Sequence, residues 1–257
     1  MALDLEGSDR IVDAVRRHNV KLLVNCSRRF GGMFEAVRGL SEQQELGELI
    51  HMVGHCQGAK PLPDWVADTE GPLLHDAVHL LDIMRFFAGD VDSLIGVAKN
   101  RTGRYRVEDT SHAILEFKNG VEGIVVVDEM AEYTDFSLEL NYTQGRVRFG
   151  DGLGGVWVSV AHPTDPNSQV DAAWQELEPR AWPKPAWKGT NMLMAVRNLV
   201  EAVLSDISLR CDQHDGRASV ELIMAIYESQ RIDGGRVRLP LSRGPSSLEA
   251  LRKLGML

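Results

Sequence analysis

The chain has 257 residues, with 28 basic and 37 acidic side chains and a formal charge of −9. That balance argues against a nucleic-acid partner, because a protein that neutralises phosphates carries a basic stripe. Hydrophobic residues at 44% and charged residues at 25% match globular usage and argue against a disordered chain, and the length suits one large domain or two modest ones.

No apolar run approaches the ~18 to 20 residues needed to span a bilayer, so no membrane partner is expected. The opening MALDLEGSDR is acidic where an export signal is basic and then apolar. Cys26, Cys56 and Cys211 are odd in number and far apart, which is neither a disulfide framework nor a metal-binding spacing. A cytoplasmic, reducing setting is the expectation.

Residues 5 to 18 read as a helix, with Ile11, Val12 and Val15 on one face and Asp4 placed as its N-cap. The run Val20-Lys21-Leu22-Leu23-Val24-Asn25 follows, a short apolar segment that suits a buried strand of an α/β unit. A second helical pattern covers 33 to 48, and Leu49 to Cys56 turns strand-like. The proline-rich stretch from Gln57 to Gly71 reads as a loop. After Pro72 comes a helix apolar around much of its circumference, carried by Leu73, Leu74, Ala77, Val78, Leu81, Met84, Phe86 and Phe87.

From Val91 to Val160 the period becomes two. Phe136, Leu138 and Leu140 alternate with Ser137, Glu139 and Asn141, and Asn119-Gly120 between two such runs signals a hairpin with a type I′ turn. Helical patterns return at about 188 to 206 and 216 to 231, followed by a short strand at Val237 to Leu241. Helices and strands are segregated, which predicts an α+β fold with an open, mostly antiparallel sheet and packed helices.

The densest polar cluster is His75-Asp76-Ala77-Val78-His79-Leu80-Leu81-Asp82. Four-residue spacing puts His75 and His79 on one helical face, with Asp82 on the same side. Histidine is the usual acid/base group at neutral pH. The same H-D-x-x-H spacing is one methylene from a zinc-hydrolase motif, but no third ligand is nominated, and no metal is assigned. His51 and His55 share the spacing on a strand, where they lie ~13 Å apart and cannot chelate one ion. Gly150, Gly152 and Gly155 match G-x-G-x-x-G in letters, yet a strand pattern, Val156 to Val160, follows where a dinucleotide site needs a helix. This is a glycine-rich hairpin. Asn25-Cys26-Ser27-Arg28-Arg29-Phe30 follows the predicted strand ending at Val24, where α/β folds place ligand contacts.

The order of these pieces, with KLLVNCSRRF, QELGEL, GPLLHDAVHLLDIMRFF, the antiparallel sheet and DGRASVELIMAIYESQRIDGGRVRLPL, resembles the Gfo/Idh/MocA family, relatives of glucose-fructose oxidoreductase and inositol dehydrogenase. The resemblance covers essentially the whole chain. It implies an NAD- or NADP-dependent dehydrogenase acting on a sugar, cyclitol or related polyol, and a homo-oligomer formed through the sheet. It also implies that residues 1–28 correspond to the last helix and strand of a Rossmann domain, with 29–257 as the substrate-binding and oligomerisation domain. The family's Gly-rich fingerprint and Glu-Lys-Pro triplet have no counterpart in this sequence, so the expectation is a shortened form inactive alone.

By the resemblance, His79 is the general base. His75 stands where the family commonly has an acid, with Asp76 one step on and about 100° round the helix. Asp76 and Asp82 are the candidate substrate contacts, and Arg29 and Asn25 the candidate cofactor contacts. The alternative from another functional class is a non-catalytic oligomerisation or partner-binding module, with a metal-dependent hydrolase using His75 and His79 behind it.

Overall fold

The computed structural model describes residues 1–59, 69–103, 106–150, 154–161, 175–242 and 246–257. Helix α1 (Leu5–His18) starts where Asp4 caps it, the carboxylate accepting the Gly7 N–H at 2.7 Å. It ends at Asn19, whose left-handed conformation (φ 47°) turns the chain away.

The expected strand over Val20–Asn25 is absent. This segment runs without a ladder: Val24 donates to the Cys211 carbonyl at 3.0 Å, Cys26 donates to Val24, and Val20 is 54% exposed. An apolar run becomes a strand only beside another strand, and among the described residues no strand lies against this one.

A 3₁₀ turn (Ser27–Phe30) leads into α2 (Gly32–Glu42), which stops short of the predicted residue 48. The carbonyls of Leu46 and Glu48 are taken by the Gln144 and Thr143 N–H groups, and the Leu46 side chain is fully buried. Tertiary hydrogen bonds thus outcompete the last helical turn.

Strand β1 (Leu49–Gln57) lies inside a nine-stranded sheet that also contains β2 (Val91–Lys99), β3 (Thr110–Phe117), β4 (Glu122–Asp128), β5 (Asp135–Tyr142), β6 (Gly145–Phe149), β7 (Gly155–Ala161), β8 (Gln175–Arg180) and β9 (Val237–Arg238). The order is β8-β7-β6-β5-β1-β4-β3-β2-β9, and β1 with β4 is its parallel pair. The β3–β4 hairpin forms where Asn119-Gly120 predicted it, with a different turn. Only Gly120 takes positive φ (86°), its N–H bonding to the Phe117 carbonyl, while Phe117 donates to Val121. That is a longer loop with glycine at its left-handed position, Lys118-Asn119-Gly120. Strand β9 is shorter than the expected 237–241, since Pro240 has no N–H for a ladder and the Leu241 N–H goes to Glu221.

One sheet face is covered by α3 (Val78–Ala88) and α5 (Gln213–Arg231), and α1 packs against α5. Leu80, Leu81, Ile83 and Met84 of α3 meet Leu222, Ile223, Ile226 and Tyr227 of α5 in a single core with Met52, Leu94, Leu115 and Val125 of the sheet. Each such fully buried side chain contributes ~1.5 to 3 kcal/mol of transfer free energy. Gly54 of β1 lets α3 approach, because a Cβ there would sit 2.6 Å from the Leu80 side chain. The other face is open, with Ile114 (56% exposed) directly opposite Ile124 (43%) on β3 and β4. Helix α4 (Asn191–Ser205) lies apart from the sheet against the 3₁₀ turn, and α6 (Ser247–Lys253) packs on α5. No helix among the described residues is long and apolar enough to cross a membrane. The architecture is α+β with an open, mostly antiparallel sheet.

Candidate functional site

The histidine helix begins unusually. Leu73–Ala77 form a π turn before α3 continues as regular helix from Val78. A helix start leaves unpaired N–H groups, and here a buried carboxylate meets one of them: Glu108 accepts the Leu73 N–H at 3.1 Å and the Tyr227 hydroxyl at 2.9 Å. Burial pushes the Glu108 carboxyl up to about 7, against the pull of these hydrogen bonds. Gly71 is needed beside it, since a Cβ there would lie 2.2 Å from the Glu108 carboxyl group. π turns are uncommon and concentrate at functional sites.

His75 sits on this turn and is mostly buried. Its Nε2 meets the Glu129 carboxylate, and its Nδ1 faces the Glu70 carbonyl at 3.3 Å. Both partners are acceptors when ionised or carbonyl, and their hydrogen bonds favour the protonated ring. Burial alone would lower its pKa. The hydrogen bond and charge of Glu129, the Glu70 carbonyl and the charge of Asp76 outweigh that and raise it. With both ring nitrogens engaged, His75 is poorly placed to bind a metal or take a substrate proton.

Glu129 was not legible beforehand. It lies one residue past β4, where the alternation that buries Gly123, Val125 and Val127 continues to its own side chain. Its N–H is fixed on the Asp109 carbonyl at 2.9 Å. Nothing local in the sequence links positions 75 and 129. The link is made by the π turn approaching the end of the β3–β4 ladder, the same end that supplies Glu108.

Of the remaining candidates, Asp76 and His79 are half-buried on the turn of His75 and the next one. Asp82 and Arg29 come together away from them. The Arg29 Nε donates to Asp82 at 2.8 Å, one terminal nitrogen pairs with Asp215 at 3.0 Å, and the other reaches the Arg210 carbonyl at 3.3 Å. Arg29 is 7% exposed and Asp82 fully buried. Burial pushes the Asp82 carboxyl up against the opposing pull of Arg29. Both groups expected at a ligand are consumed by each other and by the fold. Asn25 is exposed, its amide against the Met192 sulfur at 3.6 Å on α4.

Cys26, Asp82 and Cys211 bring their donor atoms within 4.8 Å of one another, a convergence hidden by 185 residues of separation between the cysteines. The hydrogen bond to Cys211 and burial hold the Cys26 thiol far above its ordinary range. The Asp82 carboxylate is already held by the Arg29 cation, so the trio fits a metal poorly. The residues described do not compose a pyrophosphate cradle either: Gly155 opens β7, a strand, and Gly152 lies outside the described residues. Beside the histidine turn, Met1, Ala2 and Leu3 line a recess with Glu70 and Leu74.

The fold and site define a class: an α+β domain whose sheet has one helix-covered face and one open face, with a histidine-bearing helix entering the covered side. Residues 34–148 match the model of the GFO/IDH/MocA C-terminal domain. D-apiose dehydrogenase from Rhizobium rhizogenes is 23% identical over 241 residues, covering 89% of this chain and 67% of that protein. Inositol 2-dehydrogenase from Pseudarthrobacter chlorophenolicus is 27% identical over 198 residues, covering 72% of this chain and 57% of its own length. This chain therefore spans between about half and two thirds of the curated relatives it matches. The WlbA dehydrogenase of Bordetella pertussis, solved with NADH and UDP-GlcNAcA, shares the fold at a TM-score of 0.72 and 22% identity, covering 94% of this chain and 70% of that one. These comparisons support a Gfo/Idh/MocA-type oxidoreductase, with the family model matching residues 34–148 and the fold shared with a solved dehydrogenase.

Proposed function

We propose that this chain carries the substrate side of an NAD(P)-dependent dehydrogenase of sugar, cyclitol or related polyol hydroxyls. The observation that carries the reading is the histidine turn. His75 is engaged at both ring nitrogens by Glu129 and the Glu70 carbonyl, so His79, one turn on and half-buried, is the candidate general base. In alcohol oxidation that proton comes from the hydroxyl whose carbon loses hydride. Asp76, on the same turn, is the nearest candidate for a neighbouring hydroxyl. The pyrophosphate of NAD or NADP finds no cradle among the described residues, so no step is assigned to the cofactor here.

The experiment is a titration of the purified protein with a panel of sugars and cyclitols, followed through histidine NMR resonances, with His79→Ala as control. The reading expects at least one member to perturb His79 and the variant to lose that binding while staying folded. A panel that leaves His75 and His79 undisturbed contradicts it. If His79→Ala instead unfolds the protein, His79 is a core residue.

A second proposal concerns assembly. The open face presents Ile114 and Ile124 side by side, where a second sheet would remove apolar surface from water. Light scattering is expected to show a homo-oligomer that Ile114→Lys breaks; a monomeric unsubstituted chain excludes it. The thiols of Cys26 and Cys211, hydrogen-bonded and free, accord with a reducing compartment.

A further inference from the structure

A surface helix ordinarily turns its large apolar side chains inward. Helix α4 does the reverse. Its buried side chains are Ala195, Asn198 and Ala202, while Met192, Leu193, Val196, Val200, Val203 and Leu204 are between 49% and 78% exposed. At about 100° per residue these six fall within roughly 120° of the helix circumference, as one continuous stripe. The helix is held in this orientation: the Asn198 Oδ1 accepts the Arg210 N–H at 3.1 Å, and the Thr190 hydroxyl caps the Leu193 N–H at 3.2 Å. Ile207, exposed, extends the stripe past the helix end, where the Lys21–Asp206 ion pair at 2.7 Å brings in the unladdered segment of Val20. Together these side chains leave on the order of 700 Å² of apolar surface in water. That exceeds the ~300 to 600 Å² of the largest patch on a typical monomer and approaches the ~800 Å² that each partner buries in a standard stable interface.

We propose that this stripe is a homotypic interface, on which α4 of a second copy of the chain lies antiparallel. Besides the area, the placement of charge favours a second copy. Arg197 and Glu201, paired at 2.7 Å and exposed to solvent, both border the stripe on one side. In a two-fold antiparallel pair centred near Leu199 and Val200, the same surface serves both copies. Val196 then faces Val203 of the second copy, and Arg197 comes nearly level with Glu201 of the second copy along the shared edge, so opposite charges flank the seam. The contact is separate from the open sheet face, since Ile114 lies on β3 and α4 stands apart from the sheet against the 3₁₀ turn. It is also independent of the polyol reading.

The test is sedimentation equilibrium of the full chain carrying Ile114→Lys, which removes any contribution from the sheet face. A dimer is expected. Val200→Glu in the same background sets two unpaired carboxylates at the centre of the seam and is expected to weaken the dimer about a hundredfold or more. Val200 is exposed in the single chain, so the variant should keep its fold, which circular dichroism checks. Direction is read by cross-linking with oxidised glutathione, and because the native cysteines are buried the introduced thiols report alone. Val196→Cys mixed with Val203→Cys is expected to give a 196–203 disulfide between copies more readily than either variant cross-links to itself. Preferential self-cross-linking overturns the antiparallel arrangement. A monomer in the Ile114→Lys background, or a dimer indifferent to Val200→Glu, overturns the α4 interface and leaves the stripe to a different protein.

Discussion

Two buried polar networks meet the histidine helix and differ in how completely they are satisfied. Around Arg29, the guanidinium spends its nitrogens on Asp82, Asp215 and the Arg210 carbonyl, and Ser219 adds a contact to Asp82 at 3.5 Å. Around His75, the ring is fully used while Glu129 keeps one oxygen open and Glu108 is poised near neutrality. A closed network holds elements together, here the 3₁₀ turn, α3 and the start of α5. An open network retains something for a ligand or a proton. Titratable residues alone do not distinguish the two, whereas the count of unmet hydrogen bonds does.

The largest effect expected from this contrast is at the closed network. Arg29→Met leaves the buried Asp82 carboxyl without its partner, and the cost is about 3 to 5 kcal/mol in urea denaturation. A loss under about 1 kcal/mol would erase the distinction between the regions. The next is a pH effect at the open network. Glu108 is fully buried with its pKa raised to about 7 from 4.5. The folded state therefore binds a proton more tightly than the unfolded chain, so this stability is complete below about pH 4.5 and is lost as pH rises through about 7. The shift corresponds to roughly 3 kcal/mol as an upper figure. His75, also raised, acts in the same direction, its contribution present below 6.5 and lost as pH rises through its folded value. Denaturation as a function of pH should show this decline, and Glu108→Gln should flatten it.

Smaller effects sharpen the geometry. Gly71→Ala forces a methyl against the Glu108 carboxyl group, and overpacking of this kind costs ~1 to 3 kcal/mol. Thermal unfolding measures the cost, and the His75 resonance should move with it because the π turn is displaced. Gly120→Ala, at φ 86° with open space around it, strains only the backbone and should cost about 1 kcal/mol without touching the histidines.

These regions were unequally visible in the amino-acid order. The α+β class was legible because strand alternation and helical periodicity are local, and Asn119-Gly120 marked its hairpin for the same reason. Whether Asn119 also takes positive φ depends on the loop length the two strands leave, and the answer differed. The histidine helix was legible from its apolar circumference. Its π start was not, since it depends on Glu108, a residue of another element. Val20 to Val24 have the composition of a strand and, among the described residues, no strand beside them. Glu129 and the Cys26–Cys211 contact are long-range juxtapositions that residue types and spacing do not announce. The pairing of Arg29 with Asp82 was hidden likewise, so two residues singled out for a ligand turned out to face each other.

The reading proposed above makes the histidine turn the working site and the Arg29–Asp82 pair scaffold. The most direct measurement is residue-resolved NMR mapping of the unsubstituted protein during myo-inositol titration. The account predicts saturable shifts centred on His75, Asp76, His79 and Glu129, with Arg29 and Asp82 unmoved. Shifts centred on Arg29, Asp82 and Asn25, or no saturable shift at the histidine turn, would contradict it.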